Sequence, residues 1–160
     1  MSKTEFVAEP GQQAIVITRT FDAPRDLVFK ASTEPDLISQ WWGLETYTTR
    51  IDQMDVRPGG IWRFVQNDQD GNEFAFKGVY HEIAPAERVV QTFEFEGMPG
   101  HVSLETMQLE EVDGKTKMTS TAVYQSVEDR DWMFASGMQE GASESMDRLA
   151  ELVEKLAVTP

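Results

Sequence analysis

The chain has 160 residues, 40% of them hydrophobic, and its 14 Lys and Arg against 28 Asp and Glu give a formal net charge of −14. That length can bury a sizeable single core, while the acidity leaves no basic footprint for nucleic acid or an anionic membrane. There is no cysteine, which excludes disulfides, thiolate metal sites and cysteine nucleophiles. With no apolar run behind a basic start and none of membrane-spanning length, a cytoplasmic protein is the expectation.

In chain order, residues 1–12 read as a loose lead-in ending at Pro10-Gly11, and residues 13–157 as one domain. AIVITRTF (14–21) is rich in β-branched residues and predicts a strand. DAPRDLVFKAST follows, with Pro24 in a first helical turn, where its missing N–H costs nothing. Thr33 and Asp36 have capping-box spacing for a second short helix, which Gly43 stops. The period then changes to alternation. ETYTTRIDQMDV (45–56), IWRFVQ (61–66), EFAFKGVYHEI (73–83), RVVQTFEF (88–95), HVSLETMQLEEV (101–112) and KTKMTSTAVYQ (115–125) predict strands joined by tight turns. Arg57-Pro58-Gly59-Gly60 and Asp113-Gly114 are the clearest of those turns. Ser126 and Asp129 repeat the capping spacing, and helix is expected from there to about Ala157, with Gly137 a bend or break.

Six hairpin-linked strands form a meander that must curve to bury its apolar face, and a long amphipathic helix is its natural cover. At 100° per residue, Met138, Ala142, Ser145, Leu149, Leu152, Val153 and Leu156 share one side of that helix. Glu140, Glu144, Asp147, Glu151 and Glu154 share the other, facing solvent. The buried side is uneven, because Gly137, Gly141, Ala142 and Ser145 thin its first half. Interiors are close-packed, so either sheet side chains or a ligand must occupy that volume.

The ordered stretches ITRTFDAPRDLVFKAST, EPDLISQWWG, MDVRPGGIWRFV, GVYHEIAPAERVVQTFEFE and SGMQEGASESMDRLAELV, from residue 14 to about 156, carry a resemblance. They resemble the START-like, helix-grip superfamily also called SRPBCC, in the branch named after the activator of heat-shock-protein-90 ATPase homologue. Ser32 departs from a pattern that often has an aromatic there. The resemblance implies an α+β helix-grip fold: a curved antiparallel sheet of about six to seven strands, two short helices after the first strand, and a long C-terminal helix packed across the concave face. It also implies a hydrophobic cavity between sheet and helix. The superfamily includes lipid and hormone binders, polyketide cyclases, antibiotic self-sacrifice proteins and chaperone activators, so the fold does not settle the chemistry.

His81 and His101 have no sequence neighbour at metal-ligand or base-nucleophile spacing, and both read as structural. Asp68-Gln69-Asp70-Gly71-Asn72 puts Gln66 and Lys77 where a calcium loop needs acidic ligands, so it reads as a hairpin turn. Arg57 and Arg63 are expected in surface ion pairs. No cofactor and no metal are expected. Successive side chains diverge by about 100° on a helix, so at most one of Trp41 and Trp42 should face inward, the pair serving either as core packing with partial exposure or as an aromatic wall at the cavity mouth.

The first expectation for function is a small hydrophobic or amphipathic ligand-binding protein. Its cavity would be lined by Trp41, Trp42, Trp62, Phe64, Phe74, Phe76, Met133, Phe134, Gly141 and Ser145, a set that a one-residue slip of register would exchange. The alternatives are a chaperone-activator-like interaction module and a polyketide cyclase-like enzyme with His81 or a buried carboxylate as base.

Overall fold

The computed structural model describes residues 3–158. Its elements are β1 (Glu5–Val7), β2 (Ala14–Phe21), α1 (Arg25–Thr33), α2 (Pro35–Ile38), β3 (Thr48–Met54), β4 (Ile61–Asn67), β5 (Glu73–Ala84), β6 (Arg88–Phe95), β7 (Val102–Val112), β8 (Lys115–Val123), α3 (Val127–Ala135) and α4 (Met138–Ala157). The eight strands form one sheet in the order β1-β2-β8-β7-β6-β5-β4-β3. β3 to β8 are the expected meander, each strand antiparallel to the next. β2 returns to pair with β8 across the full length of β2.

The sheet has more strands than the six to seven expected. The additional edge is β1, which pairs Phe6 with Ile17 within the stretch taken as a loose lead-in. Three residues are too few to show a period, and the open edge of β2 supplies the ladder that orders them. Residues 1–2 of that lead-in lie outside the described residues.

Local chemistry explains most boundaries. Ser126 caps α3, accepting a hydrogen bond from the Asp129 N–H at 3.0 Å. The turn at Asp113-Gly114 has φ of 53° and 79°, the paired positive angles of a tight hairpin. Thr33 does not cap α2. Its hydroxyl donates to the Phe29 carbonyl at 2.8 Å, closing α1 instead, and Glu34 occupies the cap position. The terminal helix is two helices: Gly137, at φ 88°, takes the left-handed conformation that separates α3 from α4. No helix among the described residues is long and apolar enough to cross a membrane.

The core lies on the concave face. Phe21, Val28, Ala31, Trp62, Tyr80, Leu109 and Met118 pack there under Leu149, Ala150 and Val153 of α4. Register shifts at Ile51/Gln53 and Tyr80/Glu82 mark bulges, which bend the strands and deepen that concavity.

Candidate functional site beneath the third helix

Alternation along four neighbouring strands decides what the concave face offers. The register pairs Trp62 with Gly78, Phe64 with Phe76, Phe76 with Phe95, Phe93 with Ser103, and Gln91 with Glu105. Aromatic residues therefore cover β4, β5 and the end of β6, while polar residues begin at β7. The aromatic block is continuous. Trp42 meets Phe64 and Phe76 edge-on, each with ring centroids 5.2 Å apart, and Phe76 stacks on Phe95 at 5.1 Å. Glycine at 78 is required by close approach: a Cβ there would stand 1.9 Å from the Thr92 carbonyl oxygen and 2.5 Å from Trp62 Nε1.

Beyond the aromatic block, the sheet and α3 do not close on each other. A cavity of about 260 Å³ lies between them. Phe93, Phe95 and Ser103 form its floor, Met98, His101 and Val102 one wall, Tyr124 another, and Glu128, Asp129, Trp132 and Met133 of α3 its roof. α3 is hung over this space by polar ties. Asp129 Oδ2 lies 3.0 Å from His101 Nδ1, and the Val102 N–H donates to Gln125 Oε1 at 3.0 Å. Arg130, the buried residue of α3, donates to the carbonyls of Ala14 at 3.0 Å and Glu9 at 2.8 Å.

One polar group that lines the cavity, and one beside it, are under-satisfied. Ser103 is 3% exposed and its hydroxyl has no hydrogen-bond partner among the described residues. Glu105 follows two residues inward on the same face, and it too is without a hydrogen-bond partner among the described residues. Burial alone pushes its carboxyl up to about 7, through the cost of a desolvated charge. Glu105 still keeps part of its surface accessible. Tyr124 is raised well above the usual phenol value, first by burial and then by the charge of Glu105.

The residues singled out in the sequence divide among three places. Trp42, Trp62, Phe64 and Phe76 join in the aromatic block, and Trp62 Nε1 is buried without a partner among the described residues. Phe74 stands apart with Tyr47, ring centroids 5.9 Å apart. Trp41 turns the other way, its Nε1 donating to the Ala31 carbonyl at 3.0 Å and fixing the end of α2 to α1. Met133 is in the cavity roof, and Phe134 is its half-buried neighbour on α3.

Gly141 and Ser145 face the segment after α2. The Ser145 hydroxyl both accepts from the Gly43 N–H and donates to the Gly43 carbonyl, each at 3.0 Å, while a Cβ at Gly141 would meet Leu44 at 3.8 Å. The thin half of the helix thus admits a loop.

Phe93, Phe95, Ser103, Glu105, Tyr124 and Trp132 escaped the sequence reading. The alternation Ser103, Glu105, Met107, Leu109 carried the signal for β7, because its last member is plainly a core leucine. His81 is exposed, and His101 is at the cavity rim. The Asp68 turn is a closed hairpin, with its carboxylate accepting from the Asp70 and Asn72 N–H groups and held below the usual carboxylate range by Asn72. Arg63 forms a two-pronged pair with Glu96 at 2.7 and 3.0 Å, and Arg57 pairs with Asp55 at 2.8 Å.

Solved structures with this arrangement are numerous. A protein from Rhodobacter sphaeroides aligns with a TM-score of 0.88 at 23% identity, covering 96% of this chain and 99% of its own. One from Mycobacterium smegmatis gives 0.86 at 22%, covering 99% of each chain. One from Chromobacterium violaceum gives 0.79 at 25%, covering 89% of this chain and 97% of its own. No curated protein matches the sequence. The model of the family described as activator of Hsp90 ATPase homolog 1-like protein matches residues 22–154, which hold β3 to β8, α1 to α3 and most of α4, and the chain belongs to that family.

Proposed function

We propose that the protein binds a small hydrophobic or amphipathic molecule in the cavity between α3 and the sheet. The observation that carries this reading is a mostly aromatic and methionine-lined space holding the Ser103 hydroxyl, buried and without a partner among the described residues. Ligand sites are concave, largely apolar and carry a few convergent polar groups. Its size argues for a compact ligand: an apolar cavity of about 150 Å³ accepts benzene, so one of about 260 Å³ has room for a ring with a short arm. Selectivity would come from shape and from the polar groups on β7. Membership of the family adds support, since its fold is consistent with a binding or an activator-like module.

The test is a thermal-shift series with ethylbenzene, 2-phenylethanol and phenethylamine. A ligand that binds only the folded state raises the midpoint. Ser103→Leu fills the floor and should abolish the rise, with Met133→Trp as a second filling variant should the first fail to fold. A rise that survives in both variants, or no rise with any probe, removes the cavity from the account.

The family description supports a second reading, an activator-like module that engages a chaperone ATPase through its surface. That reading expects a change in the chaperone's ATP turnover on adding the protein, undiminished in Ser103→Leu. A response lost on filling the cavity would tie the partner to the ligand site.

A further inference from the structure

The cavity's charge pattern goes further than its shape. Its roof carries Glu128 and Asp129, and neither lysine nor arginine is among the residues that line it. His101 at the rim is already paired with Asp129 at 3.0 Å. On the floor, Ser103 is 97% buried, and neither its hydroxyl nor the Glu105 carboxyl, next on the same face, has a hydrogen-bond partner among the described residues. Around this space stand the rings of Phe93, Phe95, Tyr124 and Trp132. Two carboxylates on the roof, a third beside the floor next to Tyr124, and no lysine or arginine in the lining form an environment for a positive charge, which ring faces also attract.

Resting on the ligand-binding reading above, we propose that the site selects organic cations: a primary or secondary ammonium group on a compact aromatic body. The ammonium group would donate to Glu105 and the Ser103 hydroxyl, and the ring would occupy the space between Phe93, Phe95 and Trp132. Three ligand chemistries can be compared. A carboxylate ligand would bring a like charge toward Glu105 and the roof acids without a cation to receive it. A purely apolar ligand would exclude water from Ser103 and Glu105 and leave both unpaired, which is costly for buried polar groups. An ammonium ion satisfies both and supplies the positive charge that Glu105 lacks. The raised carboxyl of Glu105 is the expected state of such a receptor group when no side chain neutralises it.

Titration calorimetry with phenethylamine, 2-phenylethanol and 3-phenylpropionate at constant pH and low salt tests this on the full chain. The amine should bind at least ten-fold more tightly than the alcohol, and the acid should bind most weakly. Glu105→Gln should erase the amine's advantage by weakening amine binding far more than alcohol binding, whereas a damaged cavity would weaken both alike. Ser103→Ala should cost the amine and the alcohol alike. Alcohol or acid binding that equals or exceeds amine binding overturns the cation inference and leaves the ligand-binding reading standing. An amine preference untouched by Glu105→Gln overturns it as well. Absence of binding by all three probes removes both readings together.

Discussion

α3 and α4 roof the same sheet, separated only by Ser136 and Gly137, yet they cover it in opposite ways. α4 lays Leu149, Ala150 and Val153 into the core, all but inaccessible to solvent. α3 buries a single residue, Arg130, and its Trp132 is 53% exposed. Apolar side chains pull a helix down until contacts are filled, whereas the hydrogen bonds of Arg130, Asp129 and Gln125 fix a helix at a distance. The space under α3 therefore follows from how that helix is held: polar ties set its height and leave the floor uncovered.

The contrast breaks most visibly if it is tested by truncation. Leu149→Ala should cost about 2–5 kcal/mol of stability, the range for a leucine removed from a packed core. Met133→Ala, already facing open space, should cost about 1 kcal/mol or less. Urea unfolding of both variants checks this, and equal losses would mean that α3 carries core like α4.

Glu105 sharpens the same contrast through pH. Its carboxyl is raised to about 7 in the fold from an ordinary value of 4.5. Between those values the folded state holds a proton that the unfolded chain has released, so stability falls as pH rises through that window and stays low above it. Glu105→Gln removes the dependence. It should stabilise the protein by up to about 3 kcal/mol at pH 8 and by almost nothing at pH 4. Unfolding midpoints of the two proteins at those pH values measure it, and a gain independent of pH would show that the carboxyl does not titrate in the interior.

Gly141 gives the smallest effect and the reverse sign. A methyl group there meets Leu44 at an ordinary 3.8 Å, and glycine in a helix interior costs about 0.5–1 kcal/mol relative to alanine. Gly141→Ala should therefore raise stability by about that amount in thermal unfolding. A loss would mean that the loop after α2 presses closer than that distance allows.

Much of the architecture could be read from the sequence because its signals are local. Ser126 announces a cap, Asp113-Gly114 a hairpin, and the period-two runs a meander. β1 is the exception, since its three residues acquire meaning only beside β2. The site was less legible because it depends on register. Glu105, Glu110 and Glu111 lie close together in LETMQLEEV, and only the pairing of β7 with β6 turns the first inward while the other two are exposed. The helix wheel correctly marked Leu149 and Val153 as buried, but it could not say that Ser145 meets Gly43 rather than a ligand. Trp41 and Trp42 diverge, yet both turn inward, against the expectation of at most one. Trp41 is buried in the core and Trp42 packs against it in the aromatic block, because α1 and the sheet meet the end of α2 from two sides.

Arg130 makes the beginning of the chain part of the ceiling. Its guanidinium grips the carbonyls of Glu9 and Ala14 across more than a hundred residues of sequence, so the stretch between β1 and β2 works as a guy-rope for α3. Tension or slack in that stretch, from a fused tag or a trimmed start, is transmitted to the height of the helix and so to the room beneath it. The same leading segment also exchanges hydrogen bonds between Gln13 and the Tyr124 backbone, so it bears on the wall of the cavity as well as on its ceiling.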